Sequence, residues 1–342
     1  MKSLIILTDY KNYFGSKQKS QYYNSGFDLN SLTDLFNKKS YSVKIYPLST
    51  IDFSVCNFKD SFVLYTSSED HELYYKQFIE DVLLGIQING GILIPDFIYF
   101  RAHNNKVFME ILRKILLNRA IKYLPSRTLG TLEELNYIKE RIVYPIVYKS
   151  SAGSKSRGVG LAHSYSELVK KCHKISKTFH FWYDFKELVR KYKYSGYITN
   201  SKHRRKFILQ EFIDGLDHDY KILVFDKKYY ILKRKTKSND FRASGQGLLE
   251  YTDNLPEGIF DFAENIYQTL DVPFISLDIA YNGIEYYLLE FQVIYFGTYT
   301  LEYSECFYLK YGNQWLKVVE KSVLENVYVD AIDSFINRKF YT

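Results

Sequence analysis

Residues 144–160 read YPIVYKSSAGSKSRGVG, an apolar run that ends in Lys149 and is followed by a loop of glycine, serine and basic residues. Small residues let backbone N–H groups approach a phosphate closely, and basic side chains neutralise the phosphate charge. A glycine-serine loop alone is most often a plain surface connection. The lysine at the end of the preceding strand is what favours a phosphate-binding loop here.

Two well-known phosphate-binding motifs do not fit this loop. Gly153 and Gly158 have the spacing of a Walker A loop, but Val159 and Gly160 stand where that motif requires Lys-Ser/Thr. Gly158 and Gly160 also begin a GxGxxG pattern, but its third glycine position is occupied by His163. The loop therefore belongs to neither the P-loop nor the dinucleotide-binding class.

Two further segments downstream carry polar residues at the ends of predicted strands. Residues 209–215 read LQEFIDG, which is either a strand running into a turn or a strand that presents backbone groups to an adenine edge. Asn282-Gly283 is a strong hairpin dipeptide and predicts paired strands over 275–281 and 286–292. That predicted hairpin carries Asp278, Glu290 and Gln292.

The three polar residues of the hairpin predict a metal site. Glu290 and Gln292 are two apart and project from the same face, which Asp278 on the facing strand can join. Grouped hard oxygen ligands near phosphates are how Mg²⁺ is held. The alternative is the solvent face of an antiparallel sheet. However, Glu290 lies between apolar neighbours, and such a charge needs a partner or a metal.

The N-terminal hundred residues alternate strand and helix patterns. Short apolar runs with strand character lie at residues 4–7, 42–46, 61–66 and 92–94. Helical patterns lie between them at residues 29–36 and 72–84. This alternation favours a mostly parallel sheet, and we expect a small doubly wound domain.

The rest of the chain mixes helices with strands. Asn104 or Asn105 is predicted to cap a helix from Lys106 to about residue 117, with an apolar stripe of Val107, Ile111, Leu112 and Ile115. Thr131 and Glu134 have the spacing of a capping box, and Ser166 is predicted to cap a later helix. Residues 177–206 show no clean period and are interpreted as a helical insertion or loop. The remaining predicted elements are a strand at 207–213, a hairpin over 220–234, and helices at 260–270 and 316–336.

Composition limits the classes of function. The 342-residue chain carries a net charge of +7, which suits an anionic ligand such as a nucleotide. Its basic runs lack interleaved aromatic platforms, so RNA binding is the disfavoured alternative. Three cysteines without CxxC spacing argue against a disulfide framework or zinc site. With no long apolar segment, we expect a cytoplasmic protein without a membrane span.

In this order, the motifs resemble the ATP-grasp superfamily. The segments that carry the resemblance are Asn105-Lys106, residues 124–128 (LPSRT), 144–149 (YPIVYK), the glycine-serine loop, 210–215 (QEFIDG), Asp278 and 288–292 (LLEFQ). Residues 217–221 (DHDYK), Lys233-Arg234 and 240–247 (DFRASGQG) are similar to the branch that contains ribosomal-protein glutamate ligases and related carboxylate–amine ligases.

The resemblance implies an α/β (α+β) ATP-grasp fold in which two α+β subdomains clasp the nucleotide. Residues 1–100 would form the N-terminal doubly wound domain. Residues 101–206 would form the central subdomain with the lid loop, and 207–342 the C-terminal subdomain with the metal site. ATP and Mg²⁺, with Mn²⁺ as an alternative metal, are the implied cofactors.

The resemblance also implies roles for individual residues. The nucleotide phosphates would be held by Lys106, Lys149 and a closing loop that contributes Ser151, Gly153, Ser154, Ser156, Gly158 and Val159. The adenine would be faced by Glu211, Phe212 and Ile213, and the ribose held by Asp217 or Asp219. The transferred phosphate or the bound carboxylate would be neutralised by Lys221, Arg234 and Arg242. The metal would be held by Asp278, Glu290 and Gln292, where Gln292 replaces the family's usual Asn.

The implied activity is amide formation. A small-molecule or peptide carboxylate would attack the γ-phosphate of ATP, and an amine would then displace phosphate from the acyl phosphate. Two alternatives stay open: a kinase-like phosphoryl transfer, and a catalytically weak nucleotide-binding protein. The sequence identifies neither substrate, and a homodimer is left open.

Overall fold

A parallel sheet begins the chain, as the alternation of apolar runs and helices predicts. In the computed structural model, which describes residues 1–17, 26–122, 124–153, 158–236 and 248–341, its strand order is β2-β1-β3-β4. The elements are β1 (Lys2–Thr8), α1 (Leu29–Lys38), β2 (Tyr41–Pro47), β3 (Phe62–Leu64), α2 (Tyr74–Ile88), β4 (Ile92–Ile94) and α3 (Phe97–Ala102).

Alternate residues of β1 belong to different cores. Leu4 and Ile6 join a core that includes α1, whereas Ile5 and Leu7 join one that includes α2. A central strand that is buried on both faces is the arrangement expected for a doubly wound sheet. The prediction for this region is confirmed.

The middle of the chain forms a small antiparallel sheet of order β5-β8-β6-β7. Its elements are α4 (Lys106–Leu116), β5 (Ser126–Leu129), α5 (Leu135–Ile138), β6 (Ile146–Ser150), β7 (Val159–Ala162), α6 (Tyr165–Ser176), α7 (Phe181–Lys193) and β8 (Phe207–Glu211). One face of the sheet packs on α6 through Leu168 and Cys172, which are fully buried.

A larger antiparallel sheet follows, of order β13-β12-β9-β10-β14-β15 with β11 paired to β10. Its elements are β9 (His218–Phe225), β10 (Lys228–Lys235), β11 (Leu249–Glu250), α8 (Ile259–Leu270), β12 (Phe274–Tyr281), β13 (Tyr286–Gln292), α9 (Tyr299–Glu302), β14 (Phe307–Tyr311), β15 (Gln314–Val318) and α10 (Leu324–Phe340). The predicted hairpins around residues 226 and 282–283 are both present.

The chain divides into two units. The larger unit contains Met1–His103, Leu116–Lys122 and Asp217–Thr342, and the smaller unit contains Asn104–Ile115 and Tyr123–Leu216. The division into domains at residues 100 and 206 stays a prediction. Within the described ranges, no helix combines the length and apolarity that crossing a bilayer requires.

Several sequence predictions were wrong in detail. The helix predicted over 316–336 begins only at Leu324, because the alternating residues before it form β14 and β15 around Gly312. The cap of α6 is Ser164, whose Oγ accepts from the Glu167 N–H, and not Ser166. The helix expected from Thr131 is one short turn, Leu135–Ile138.

The predicted apolar stripe of α4 is confirmed at Leu112 but wrong at Ile111 and Ile115. Ile115 is 64% exposed and Ile111 lies at the surface, whereas the buried face includes Lys106, Glu110 and Arg113. This face is held by ion pairs and hydrogen bonds, which hydrophobic periodicity does not detect.

Candidate functional site

Two lysines of the smaller unit lie at the ends of elements that meet its glycine-serine loop. Lys106 is the first residue of α4, and its Nζ donates to the carbonyl oxygen of Gly153 at 2.8 Å. Its backbone N–H donates to the Ser151 carbonyl at 2.8 Å. Lys149 lies near the end of β6. The structure thus brings Lys106 together with the first residues of the predicted lid.

The start of α4 and the loop are tied by side chains as well. Asn104 Oδ1 accepts from the Gly153 N–H at 2.9 Å, and Ser151 Oγ donates to Asn105 Oδ1 at 3.1 Å. Asn105 also caps α4 by accepting from the Phe108 N–H at 3.3 Å, as one of the two predicted caps. Backbone N–H groups at a helix start favour anions. In α4 the N–H groups of Lys106, Val107 and Phe108 are paired with Ser151 and Asn105, so these contacts fix the helix start against the loop.

The far side of the loop needs a glycine. Gly158 has φ +73°, and a Cβ at this position would lie 2.3 Å from Ser150 Oγ. Its carbonyl accepts from the Ser150 N–H at 2.9 Å, beside the pairing of Lys149 with Val159 in the β6–β7 ladder. The predicted loop residues Ser154 and Ser156 lie outside the described residues.

Lys149 belongs to a buried polar network that the sequence analysis missed. Its Nζ donates to Gln210 Oε1 at 2.6 Å, and Gln210 Nε2 approaches Glu110 Oε1 at 3.4 Å. Glu110 is fully buried, forms an ion pair with Arg113 and accepts from Ser126 Oγ at 2.6 Å. The available signal was the helical spacing of Lys106, Glu110 and Arg113 in α4.

The segment predicted to face adenine lies at the end of β8. The Glu211 N–H donates to the Pro125 carbonyl at 2.9 Å, and its side chain is exposed. Phe212 and Ile213 lie just beyond the strand and are half-buried. Their predicted contact with adenine stays a prediction.

In the larger unit, charged residues form a row across three neighbouring strands. Lys221 on β9 lies opposite Asp278 on β12, which lies opposite Glu290 on β13. Lys221 Nζ is 3.7 Å from Asp278 Oδ1 and donates to Ser276 Oγ at 2.7 Å. Directly opposed residues share a face of the sheet. The register therefore places all three side chains on one face.

Arg234 on β10 joins this row. Its Nη2 is 2.9 Å from Asp278 Oδ2, and the same guanidinium donates to both Asp219 oxygens at 2.6 and 2.8 Å. Asp219 is buried and its carboxylate is fully engaged, so a ribose contact would have to break this pair. Asp217, the other predicted ribose ligand, is exposed and paired with His218, and its contact with a ribose stays a prediction. Arg242 lies outside the described residues.

Burial is the largest single influence on the pKa values of Lys221, Asp219 and Arg234. It lowers the pKa of Lys221, although Asp278 acts in the opposite direction. Burial raises the pKa of Asp219. Burial also opposes the charge of Arg234, but Asp278 and Asp219 outweigh it and hold the Arg234 pKa above its usual value. The cluster is thus a desolvated group of positive and negative charges, as expected where charge must be stabilised.

The predicted metal ligands are brought together on the β12–β13 ladder. Gln292 Nε2 donates to Glu290 Oε1 at 3.2 Å, and the ladder shifts register between Asp278 and Ile279. Two carboxylates and an amide oxygen are the hard donors that Mg²⁺ prefers, so the donor chemistry fits. Because Gln is longer than Asn by one methylene, its oxygen reaches farther from the strand. Arg234 shares Asp278 with any metal bound there.

Cys172 and His173 are adjacent on α6, and neighbouring residues on a helix face apart, so they do not form a nucleophile pair. Cys172 is fully buried, and burial raises the pKa of its thiol to about 12. The His173 ring instead lies against His203, with centroids 4.0 Å apart.

Comparison with solved structures identifies the fold. D-cycloserine synthetase DcsG matches with a TM-score of 0.56 and 12% identity over 97% of this chain and 99% of that chain. A Chryseobacterium gregarium RiPP-associated ATP-grasp ligase, in complex with ADP and a leader and core peptide, matches with a TM-score of 0.55 and 12% identity over 99% and 97%. No protein-family model and no curated protein sequence matches the chain.

A third match is N5-carboxyaminoimidazole synthetase from Staphylococcus aureus complexed with ADP, with a TM-score of 0.52 and 9% identity over 97% of this chain and 78% of that chain. A parallel N-terminal sheet and two antiparallel sheets define an α/β protein. More particularly, the chain has the ATP-grasp fold. The fold prediction is confirmed.

Proposed function

We propose that this protein is an ATP-dependent carboxylate–amine ligase that works through an acyl phosphate. The observation that carries the proposal is the row of Lys221, Asp278 and Glu290, joined by Arg234, on one face of the larger sheet. Phosphoryl transfer depends on positioning and charge neutralisation rather than on covalent help from the protein. This cluster offers both kinds of charge in a desolvated setting.

The smaller unit supports nucleotide binding. In the proposal, Lys106 and Lys149 contact the phosphates, and the backbone of the loop at Ser151 to Val159 covers them. The contacts between Lys106 and Gly153 and between Lys149 and Gln210 support this assignment, because they hold the two ammonium groups in place before a ligand binds. Fixed donors need no reorganisation when charge develops.

The larger unit supports the chemical step. Lys221 and Arg234 would neutralise the transferred phosphate or the carboxylate, with Arg242 proposed for the same role. Asp278, Glu290 and Gln292 would hold Mg²⁺, which supplies positive charge to the phosphate oxygens when bound. Asp217 is proposed for the ribose, and residues 211–213 for the adenine.

The proposed reaction is balanced in two steps. A carboxylate oxygen bonds to the γ-phosphorus as the bond between that phosphorus and the β–γ bridging oxygen breaks, and ADP leaves. An amine nitrogen then bonds to the acyl carbon, the carbon–oxygen bond to phosphate breaks, and the amine loses a proton. Excluding water protects the acyl phosphate from hydrolysis.

The substrates are proposed only as classes. One structural neighbour is a D-cycloserine synthetase, and two others were solved with a leader and core peptide or with a minimal precursor. Small-molecule and peptide carboxylates are therefore both proposed, each joined to an amine.

The test is a phosphate-release screen with MgATP over carboxylates and amines, followed by mass spectrometry of the product. Phosphate release that needs both an acid and an amine, with an amide product, supports ligation. Transfer of phosphate to a single acceptor supports the kinase-like alternative instead. Lys149→Ala and Glu290→Ala should abolish turnover, while Lys59→Ala and Glu257→Ala, exposed sites elsewhere, should not. Unchanged turnover in the first pair contradicts the assigned site.

One contact favours a second candidate, a nucleotide-binding protein with weak catalysis. Arg234 Nη2 lies 2.9 Å from Asp278 Oδ2, where a guanidinium competes with a metal for the same carboxylate. Tight ATP binding without turnover, for any acid and amine pair in the screen, would support this candidate.

A further inference from the structure

Helix α7 presents its apolar face to solvent. Its large apolar side chains recur at helical spacing and cover about a third of the circumference. All are between 46% and 84% exposed: Phe181, Trp182, Phe185, Leu188, Val189 and Tyr192. A surface helix normally turns such a stripe toward the core. A contiguous exposed apolar face of this kind marks an interaction surface.

The opposite face of α7 is polar and buried. Glu187 Oε1 accepts from Arg190 Nη1 and from the Tyr197 hydroxyl, both at 2.8 Å, and its Oε2 accepts from the Asn200 N–H at 2.9 Å. Asp184 Oδ2 accepts from the His180 N–H at 2.9 Å. These bonds fold the following loop under the helix. These hydrogen bonds therefore fix which face of α7 is turned to solvent. The exposure of the apolar stripe is not the result of a frayed helix end.

Two backbone hydrogen bonds join the two ends of the segment that contains α7. The Arg205 N–H donates to the Ser176 carbonyl at 3.0 Å, and the Thr178 N–H donates to the Lys202 carbonyl at 2.8 Å. These two backbone bonds close a segment, residues 179–201, that we call the α7 protrusion. The base of the α7 protrusion is therefore joined to the smaller unit by backbone hydrogen bonds.

The protrusion lies in the most basic part of the chain. Residues 165–206 contain twelve Lys and Arg residues against three acidic residues, a net +9 compared with +7 for the whole chain. On α7 itself, Lys186 and Lys193 border one edge of the apolar stripe by helical spacing, and Lys191 the other. Two of the three acids, Asp184 and Glu187, are buried. The exposed charge around the stripe is therefore positive.

We propose that the α7 protrusion docks the protein on an anionic lipid bilayer. An amphipathic helix with Trp, Phe and Leu on one face and flanking lysines lies in the plane of such an interface. Its lysines extend toward the headgroups while their stems cover apolar surface. The proposal concerns a peripheral contact and is independent of the proposed ligase activity.

Charge and shape favour a bilayer over other occupants. A symmetric contact with a second copy would place the same basic surface on both sides. A short acidic peptide would match the charge, but as a single strand about 5 Å wide it would leave part of the apolar stripe uncovered. A flat anionic surface matches both the charge and the length of the stripe.

The 342-residue protein can be tested with vesicles and an intrinsic fluorescence reporter. The chain has two tryptophans, and Trp182 is 66% exposed on the stripe. In a Trp315→Phe background, vesicles of phosphatidylcholine and phosphatidylglycerol should shift Trp182 emission to the blue, and the protein should float with them. Phosphatidylcholine alone should give a much smaller effect, and high salt should weaken binding.

Matched variants test whether residues of α7, and not the net positive charge of the whole protein, determine binding to vesicles. Lys186→Glu with Lys193→Glu should reduce partition into anionic vesicles about tenfold or more, whereas Lys59→Glu with Lys227→Glu should change it far less. Phe185→Ala with Tyr192→Ala should likewise reduce partition, whereas Tyr137→Ala with Ile284→Ala, also exposed apolar sites, should not. Circular dichroism confirms that each variant is folded.

Three outcomes would overturn the proposal. The first is no partition of the wild-type protein into anionic vesicles. The second is partition that the α7 variants and the control variants reduce equally. The third is a dimer in light scattering that the Phe185→Ala with Tyr192→Ala variant dissociates, because a second copy would then cover the face.

Discussion

Gln210 links Lys149 to a carboxylate that solvent does not reach: its Oε1 accepts from Lys149 Nζ at 2.6 Å, and its Nε2 lies 3.4 Å from Oε1 of the fully buried Glu110. Lys106 and Glu110 share one helix, so this chain of contacts joins the two predicted phosphate-binding lysines through α4 and β8. Side chains held in this way lose little rotamer freedom when a ligand arrives.

Gln210→Met tests whether this link prepares Lys149 for the nucleotide. The methionine keeps the volume but removes the acceptor, so we expect ATP to bind about tenfold more weakly, the equivalent of one charge-assisted hydrogen bond. Isothermal titration calorimetry with ATP measures the change. A double-mutant cycle with Lys149→Met is the control: if Gln210 acts through Lys149, the second substitution adds little. Full additivity would show that Gln210 acts elsewhere.

Arg234→Met should destabilise the larger unit strongly. It leaves Asp219 buried without the guanidinium that contacts both of its oxygens, and breaking a buried pair costs about 3–5 kcal/mol. The free energy of unfolding in urea, at unchanged m-value, is the measurement. Arg338→Met, at a half-exposed pair with Asp271, is the comparison and should cost under about 1 kcal/mol. If both substitutions lower the free energy of unfolding equally, the buried Arg234–Asp219 pair stabilises the protein no more than the half-exposed pair does.

Glu290→Gln tests the proposed metal site. Removing one carboxylate should raise the Mg²⁺ concentration for half-maximal ATP turnover by about tenfold or more, with a smaller change in ATP affinity. Glu285→Gln, on the same hairpin but paired with Lys122, serves as the matched control. If the amide oxygen of Gln292 is a metal ligand, Gln292→Asn should preserve the Mg²⁺ dependence of turnover, because asparagine also carries an amide oxygen. An unchanged Mg²⁺ requirement in Glu290→Gln would exclude this carboxylate.

The α7 protrusion should loosen in acid. Hydrogen bonds from the Asn200 N–H and the Tyr197 hydroxyl lower the pKa of Glu187 below its usual 4.5. A lowered folded-state pKa adds stability above pH 4.5, and this stability is lost as the pH falls through the folded value. Trp182 emission in a Trp315→Phe background, followed from neutral to acidic pH, should report the change. Glu187→Gln should remove this titration step, and a step that persists would point to another group.

The sequence predicted the elements that follow local rules. The turn at Asn282-Gly283 and the alternation of the N-terminal runs depend on neighbouring residues, and both are present as expected. The row of Lys221, Asp278 and Glu290 could be predicted in part, because hairpin pairing follows from the turn. Arg234 enters the same row only through the β9–β10 register.

Other features could not be predicted because distant residues determine them. Glu110 lies on the buried face of α4, whereas the apolar periodicity of that helix predicts a different buried face. One of its partners, Gln210, is 100 residues away in the sequence. Residues 177–206 show no clean period as a whole, although α7 within them carries its large apolar residues at helical spacing. A helical pattern of apolar residues predicts that the apolar face is buried. In α7 the hydrogen bonds of Glu187 and Asp184 bury the polar face instead.

The two backbone bonds beneath the α7 protrusion make it a separable module. Since Thr178 and Lys202 are already adjacent, excising residues 179–201 and bridging the gap with a tight turn would leave the β5-β8-β6-β7 sheet with its own ladder bonds. The proposed bilayer contact and the proposed nucleotide site can therefore be altered independently. A related protein could gain or lose the proposed bilayer contact by a single insertion or deletion. A different targeting segment could also be inserted between Thr178 and Lys202.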